Sequence, residues 1–237
     1  MTRTIFLLAV MVAGLTARAQ TDFQYYNLAL VKYNMSDYQG AITDLTKAVS
    51  HNPDNFSALV LRGSAKYNLE DYGGAIEDYT RAIGIISGEK KEPVKLTIYD
   101  QQGNIISSHD TREPDPNLAV PYYNRALARV AAGYYREAVD DFSIALENGS
   151  DEIGTYFNRG IAWDRMGKHE EAIEDYTRVL DLEPSLAQVY FRRGHSSFEL
   201  GRNQDACCDW EKAYELGHGE AAATLSELCN KEDHPHN

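Results

Sequence analysis

The stretch YYNRALARVAAGYYREAVDDF, from Tyr122, returns 34 residues later as YFNRGIAWDRMGKHEEAIEDY, from Tyr156. The echo extends along most of the chain. Anchor alanines at Ala41, Ala75, Ala138, Ala172 and Ala206 are spaced 34, 63, 34 and 34 residues apart. A chain that repeats itself in this way does not enclose one central core; each unit buries its apolar face against its neighbours. Two runs of helical periodicity precede and contain each anchor, so the unit is a helix-turn-helix and the fold class is all-α.

With units beginning at Asp22, Phe56, Ala119, Ile153 and Ala187, the small position 8 is Ala29, Gly63, Ala126, Gly160 and Gly194. Position 24 is Leu45, Tyr79, Phe142, Tyr176 and Trp210, and position 27 is Ala48, Ala82, Ala145, Val179 and Ala213. Small residues suit close approach of two helices, and a bulky neighbour fills what is left. Position 7 is Arg62, Arg125, Arg159 and Arg193, with Leu28 in the first unit; position 23 is always Asp. These recur in unit after unit, so they are read as ion pairs that fix helix register. Pro53 and Pro184 close two units, and Ser87, Ser150 and His218 stand at that place in the other three.

These residues resemble the tetratricopeptide repeat family, in its exported bacterial form. The resemblance implies a solenoid of five helix-turn-helix repeats, with repeats 1–2 over residues 22–87 and repeats 3–5 over 119–218. It also implies that the first helices of the repeats line a concave groove, through positions 2, 5, 6, 9, 12 and 13. Positions 5 and 6 supply Tyr26, Asn27, Tyr123, Asn124, Phe157, Asn158, Phe191 and Arg192 as the expected peptide-binding groove. Aromatic rings give rigid contact area, and amides donate to and accept from an extended backbone. The basic set with which some repeats of this family hold a carboxylate is represented here by Arg192 alone.

The 63-residue step leaves about 29 extra residues between repeats 2 and 3. Within residues 88–118, alternation from Val94 to Tyr99 and again from Ile105, around a Gly-containing turn, reads as a β-hairpin. Glu113 to Asn117 then supplies a turn and a cap for the next helix.

The chain opens on MTRTIFLLAVMVAGLTARAQ, with Arg3, an apolar run and Ala17-Arg18-Ala19, the pattern of a secretory signal peptide over residues 1–19. The apolar run is short of the ~20 residues that span a bilayer. The expected product is therefore periplasmic or secreted and not membrane-spanning after cleavage. Loss of Arg3 and Arg18 leaves 21 basic against 36 acidic residues, a net charge of -15. Such a field repels nucleic acid. At the other end, residues 219–231 read as a capping helix and 232–237 as a polar tail. The terminal segment resembles that of many exported tetratricopeptide proteins. An antiparallel cap would bring Cys207 to Cys229, the expected disulfide; a Cys208 pairing and three free thiols are the alternatives.

No catalytic constellation stands out: there is no Gly-rich phosphate loop, no G-x-S-x-G, no H-E-x-x-H and no C-x-x-C. His234 and His236 fall in the tail. The reading is a non-enzymatic interaction scaffold with no cofactor, no metal and no small-molecule substrate, holding a protein or peptide partner in its groove. The alternative is a regulatory or inhibitory subunit of an envelope enzyme, touching it through the hairpin at residues 90–114.

Overall fold

The computed structural model describes residues 21–88, 95–99, 105–110 and 114–229. The expected leader, the turn at residues 100–104 and the tail lie outside the described residues. The chain divides into two compact units between Asn124 and Arg125.

The first unit holds α1 (21–34), α2 (Tyr38–His51), α3 (Phe56–Asn68) and α4 (Tyr72–Ser87). Two short strands follow, β1 (Lys95–Tyr99) and β2 (Ile105–Asp110), paired antiparallel with Lys95 opposite Asp110 and a register shift between Ile98 and Tyr99. The division falls within α5 (Pro116–Ala131). The second unit continues with α6 (Tyr135–Glu147), α7 (Glu152–Arg165), α8 (His169–Leu182), α9 (Ala187–Glu199) and α10 (Asn203–Glu215). It ends on a short α11 (Ala221–Thr224) that runs into a π turn at Leu225–Cys229. The single capping helix expected at this end is thus one turn of α-helix followed by a wider one.

Local chemistry sets the helix ends. Asp37, Asn55, Asp71 and Asp151 cap α2, α3, α4 and α7, each side chain accepting from the backbone N–H three residues on. Asp115 Oδ1 accepts from the Asn117 N–H at 3.0 Å as α5 begins. The helices that close the repeats stop by two different devices. Where proline follows, the preceding residue is driven out of helical space: Asn52 (φ -133) and Glu183 (φ -140) are extended. Where it does not, a left-handed glycine ends the run, Gly149 and Gly217 at φ 84 and 88.

The core runs between the helices of each hairpin. All five anchor alanines are fully buried, as are Leu45, Phe142, Tyr176 and Trp210 at position 24. The recurring arginines and aspartates form two-pronged ion pairs. Nε and Nη2 of Arg62, Arg125, Arg159 and Arg193 donate to both carboxylate oxygens of Asp78, Asp141, Asp175 and Asp209, at 2.6–2.8 Å. Three of these guanidinium groups also reach back one helix with Nη1, to Thr46, Ser143 and Thr177 at 3.3, 2.9 and 3.1 Å. One side chain therefore ties three helices. In the first repeat, where Leu28 replaces the arginine, Lys32 takes Asp44 at 2.5 Å and Lys47 joins at 3.3 Å. The Lys32 hydrogen bond holds the Asp44 carboxyl below the usual aspartate range.

Candidate functional site

In the second unit, α7 carries Phe157 and Asn158, and α9 carries Phe191 and Arg192. A cavity of about 430 Å³ opens beside them, lined by Asp164, Gln188, Phe191, Arg192, His195, His218 and Glu220. Helical spacing explains the gathering: Gln188, Phe191, Arg192 and His195 share one face of α9 at i, i+3, i+4 and i+7. The start of the C-terminal cap supplies His218 and Glu220.

Each wall is built differently. Phe191 is buried, its ring stacked on His218 at 4.1 Å and edge-on to His195 at 4.7 Å. His195 in turn meets Trp210 edge-on at 5.2 Å, tying the cavity to the core beneath. The guanidinium of Arg192 lies over the Phe157 ring at 5.6 Å. Asp164 is a hub: it accepts from the Tyr176 hydroxyl and from Ser196 Oγ, both at 2.7 Å, and its Oδ1 lies 3.1 Å from His169 Nδ1. Burial and the neighbouring Asp164 push the Tyr176 phenol far above its usual pKa, so it remains a donor. Burial, and then the Arg192 charge, pull the His195 imidazole below its ordinary value.

Two residues that line this cavity each carry a buried polar atom with no protein partner among the described residues, Arg192 Nε and His218 Nδ1. A buried donor without an acceptor costs about 1–3 kcal/mol. Two such groups on one cavity suit a ligand that brings hydrogen-bonding atoms with it.

The other expected groove residues are dispersed. Asn158 Nδ2 donates to the Gly154 carbonyl of its own helix at 2.8 Å. In the first unit, Tyr26 is half-buried and Asn27 exposed on α1, while Tyr123 and Asn124 are half-buried on α5. Reading positions 5 and 6 alone omitted Asp164, Gln188 and His195, which stand at positions 12, 2 and 9 of the same repeats. His218 stands at the closing position of the fifth repeat, where other units carry Pro or Ser, and Glu220 lies in the cap beyond the period, so neither was marked as a site residue.

Cys207 and Cys229 are joined, with Cα atoms 5.8 Å apart, and Cys208 is an exposed free thiol. Among the described residues no group of three His, Cys, Asp or Glu side chains is placed to hold a metal ion, and no helix is long and apolar enough to cross a membrane.

Residues 26–90 and 154–186 each match a family model described as tetratricopeptide repeat. Comparison with curated proteins finds no match. Among solved structures, the chain is similar to a MamA protein at 20% identity and TM-score 0.68, over 86% of this chain and 96% of that one. MamA from Desulfovibrio magneticus RS-1 (residues 41 to the end) gives 16% and 0.67, over 83% and 94%. YrrB, described as a tetratricopeptide protein "with an unusual peptide-binding site", gives 15% and 0.69, over 92% and 97%. At these identities the likeness concerns the fold. Residues 26–90 and 154–186 are tetratricopeptide repeats, and the helices of the chain have the fold of a tetratricopeptide-type solenoid.

Proposed function

We propose that this protein is an exported, non-catalytic interaction scaffold that holds a segment of a protein partner against the Phe191–Arg192 face of α9. The observation that carries the reading is that Arg192 and His218, which line one cavity of about 430 Å³, each hold a buried nitrogen, Nε and Nδ1, with no protein partner among the described residues. An extended peptide brings carbonyl and amide groups at regular spacing, whatever its side chains. Phe191 gives that segment a rigid apolar wall, Phe157 supports the Arg192 guanidinium from below, and Asp164 is held by donors of its own. The leader-like start and the Cys207–Cys229 bridge support a periplasmic or secreted location, since disulfides persist in oxidising compartments.

Affinity capture from the native envelope tests it. Replacing Asn158 and Arg192 together by Ala is expected to lose the partner while the helical circular dichroism stays intact. Equal capture by wild type and variant would remove this face from consideration.

The strand pair β1–β2 supports the second reading, a regulatory contact made through the inserted hairpin. Deleting residues 90–114 separates the two: capture survives the deletion if α9 holds the partner, and fails if the hairpin does.

A further inference from the structure

The first unit has a cavity of similar volume, about 430 Å³, lined by Asp22, Phe23, Tyr26, Asn55 and Ser57. Its chemistry is unlike that of the cavity on α9. Asp22 is 5% exposed, yet among the described residues its carboxylate receives only the Phe23 N–H at 2.9 Å and the Asn55 side-chain amide at 3.3 Å. No cation pairs with it among the described residues. Five cations carried by the helices of this unit are engaged elsewhere: Lys32 and Lys47 on Asp44, Arg62 and Lys66 on Asp78, and Arg81 on the Pro53 carbonyl. Arg18, the nearest preceding cation in sequence, leaves with the expected leader.

A carboxylate taken out of water without a counter-charge is unfavourable, and a cation entering the cavity relieves that cost. Phe23, 63% exposed, and the half-buried Tyr26 add ring faces that attract a cation as a carboxylate does. A neutral side chain would leave Asp22 as it is, and an acidic one would be repelled by it and by the net charge of the chain.

We infer that the Asp22–Phe23–Tyr26 cavity receives a lysine or arginine side chain of the bound partner, so that the segment this scaffold recognises is basic. The inference rests on the peptide-scaffold reading and adds to it the charge of the peptide and a second anchoring point, in the first unit.

The test uses the processed protein and a short labelled oligolysine peptide, with oligoglutamine as the neutral control, read by fluorescence anisotropy at about 0.15 M salt to screen the general field. Asp22→Asn is expected to weaken oligolysine binding about tenfold or more. Glu77→Gln makes the same charge change at an exposed site and is expected to alter it less than about twofold. Phe23→Ala removes an exposed ring without opening the core, and is expected to weaken binding about threefold; it keeps the test readable should Asp22→Asn fail to fold. Equal effects of Asp22→Asn and Glu77→Gln, or oligoglutamine binding as tightly as oligolysine, would overturn the inference. Capture of the native partner that is lost on changing Asn158 and Arg192, yet indifferent to Asp22, would leave the scaffold reading standing and this one refuted.

Discussion

Gly63 lies against the ring of Tyr79: a Cβ placed on Gly63 would come 2.8 Å from Tyr79 Cε1. The same contact recurs at Gly160 with Tyr176 and at Gly194 with Trp210, at 2.7 and 2.6 Å. In the two repeats where position 8 is alanine, Ala29 and Ala126, position 24 holds the smaller Leu45 and Phe142. Positions 8 and 24 therefore share one volume between the two helices of a hairpin. Gly63→Ala is expected to destabilise the protein by about 1–3 kcal/mol through overpacking. Tyr79→Leu, which recreates the first repeat's pairing, should lower the cost of Gly63→Ala when the two are combined. Urea denaturation of the four-member cycle measures that coupling; purely additive effects would show that the two positions do not share a volume.

The repeat period made this packing legible, because small and bulky residues return at fixed offsets. The arginine–aspartate register was legible for the same reason, although its third arm, the reach to Thr46, Ser143 and Thr177, depends on a distance across helices that spacing alone does not give. Asp164, His195 and His218 illustrate what the sequence hides. Asp164 and His195 occupy groove-facing positions 12 and 9, but the residue type there differs from repeat to repeat, so the period marks the place and not the chemistry; their meeting with His218 is a property of how α7, α9 and the cap pack. Asp22 was hidden more completely: an aspartate near a helix start reads as an ordinary solvated residue, and only its burial makes it unusual.

A second consequence of the period concerns the turn inside each hairpin. Position 15 is left-handed in every repeat: Gly133, Gly167 and Gly201 take φ of 84, 71 and 72, but Ser36 and Glu70 take 62 and 63. A side chain at such φ costs roughly 1–2 kcal/mol, of which the greater unfolded-state freedom of glycine takes back part. Glu70→Gly is expected to raise stability by about 0.5–1 kcal/mol. The same substitution at Glu77, exposed in the interior of α4, should lower it by a similar amount. Thermal melts of the two variants give the comparison, and a destabilised Glu70→Gly would contradict it.

His195 gives the α9 cavity a pH dependence. His195 is exposed as a residue, though its ring is partly desolvated against Phe191 and Trp210, and Arg192 stands against Asp164, Glu199 and Glu220, whose charges favour the protonated ring. Burial and Arg192 prevail, so the folded-state pKa lies below the ordinary value of 6.5. Well above 6.5 the ring is neutral in both states and contributes nothing to pH dependence. As pH falls through 6.5 the unfolded chain gains a proton that the folded one declines, and stability drops until the folded pKa is passed. Proton NMR is expected to place the His195 midpoint below 6.5, and Arg192→Gln should raise it. A midpoint unmoved by that substitution would show that Arg192 does not act on the ring.

The bridge from Cys207 to Cys229 spans 22 residues of sequence and ties the π turn back to α10. Little else holds the cap. Ala221 is its single fully buried side chain, and none of Leu225–Cys229 is buried. The chain-entropy estimate for a loop of this size is about 3 kcal/mol. Cys229→Ser is expected to lower stability by up to that amount. Because His218 and Glu220 stand at the start of the cap, the same change should weaken partner capture at α9 more than it reduces the helical signal of the repeats. Alkylation of the unreduced protein should label Cys208 alone. A melting temperature indifferent to reductant would mean that packing of Ala221, Leu225 and Leu228 against the Trp210 cluster suffices to hold the cap, and the α9 cavity would then be independent of redox conditions.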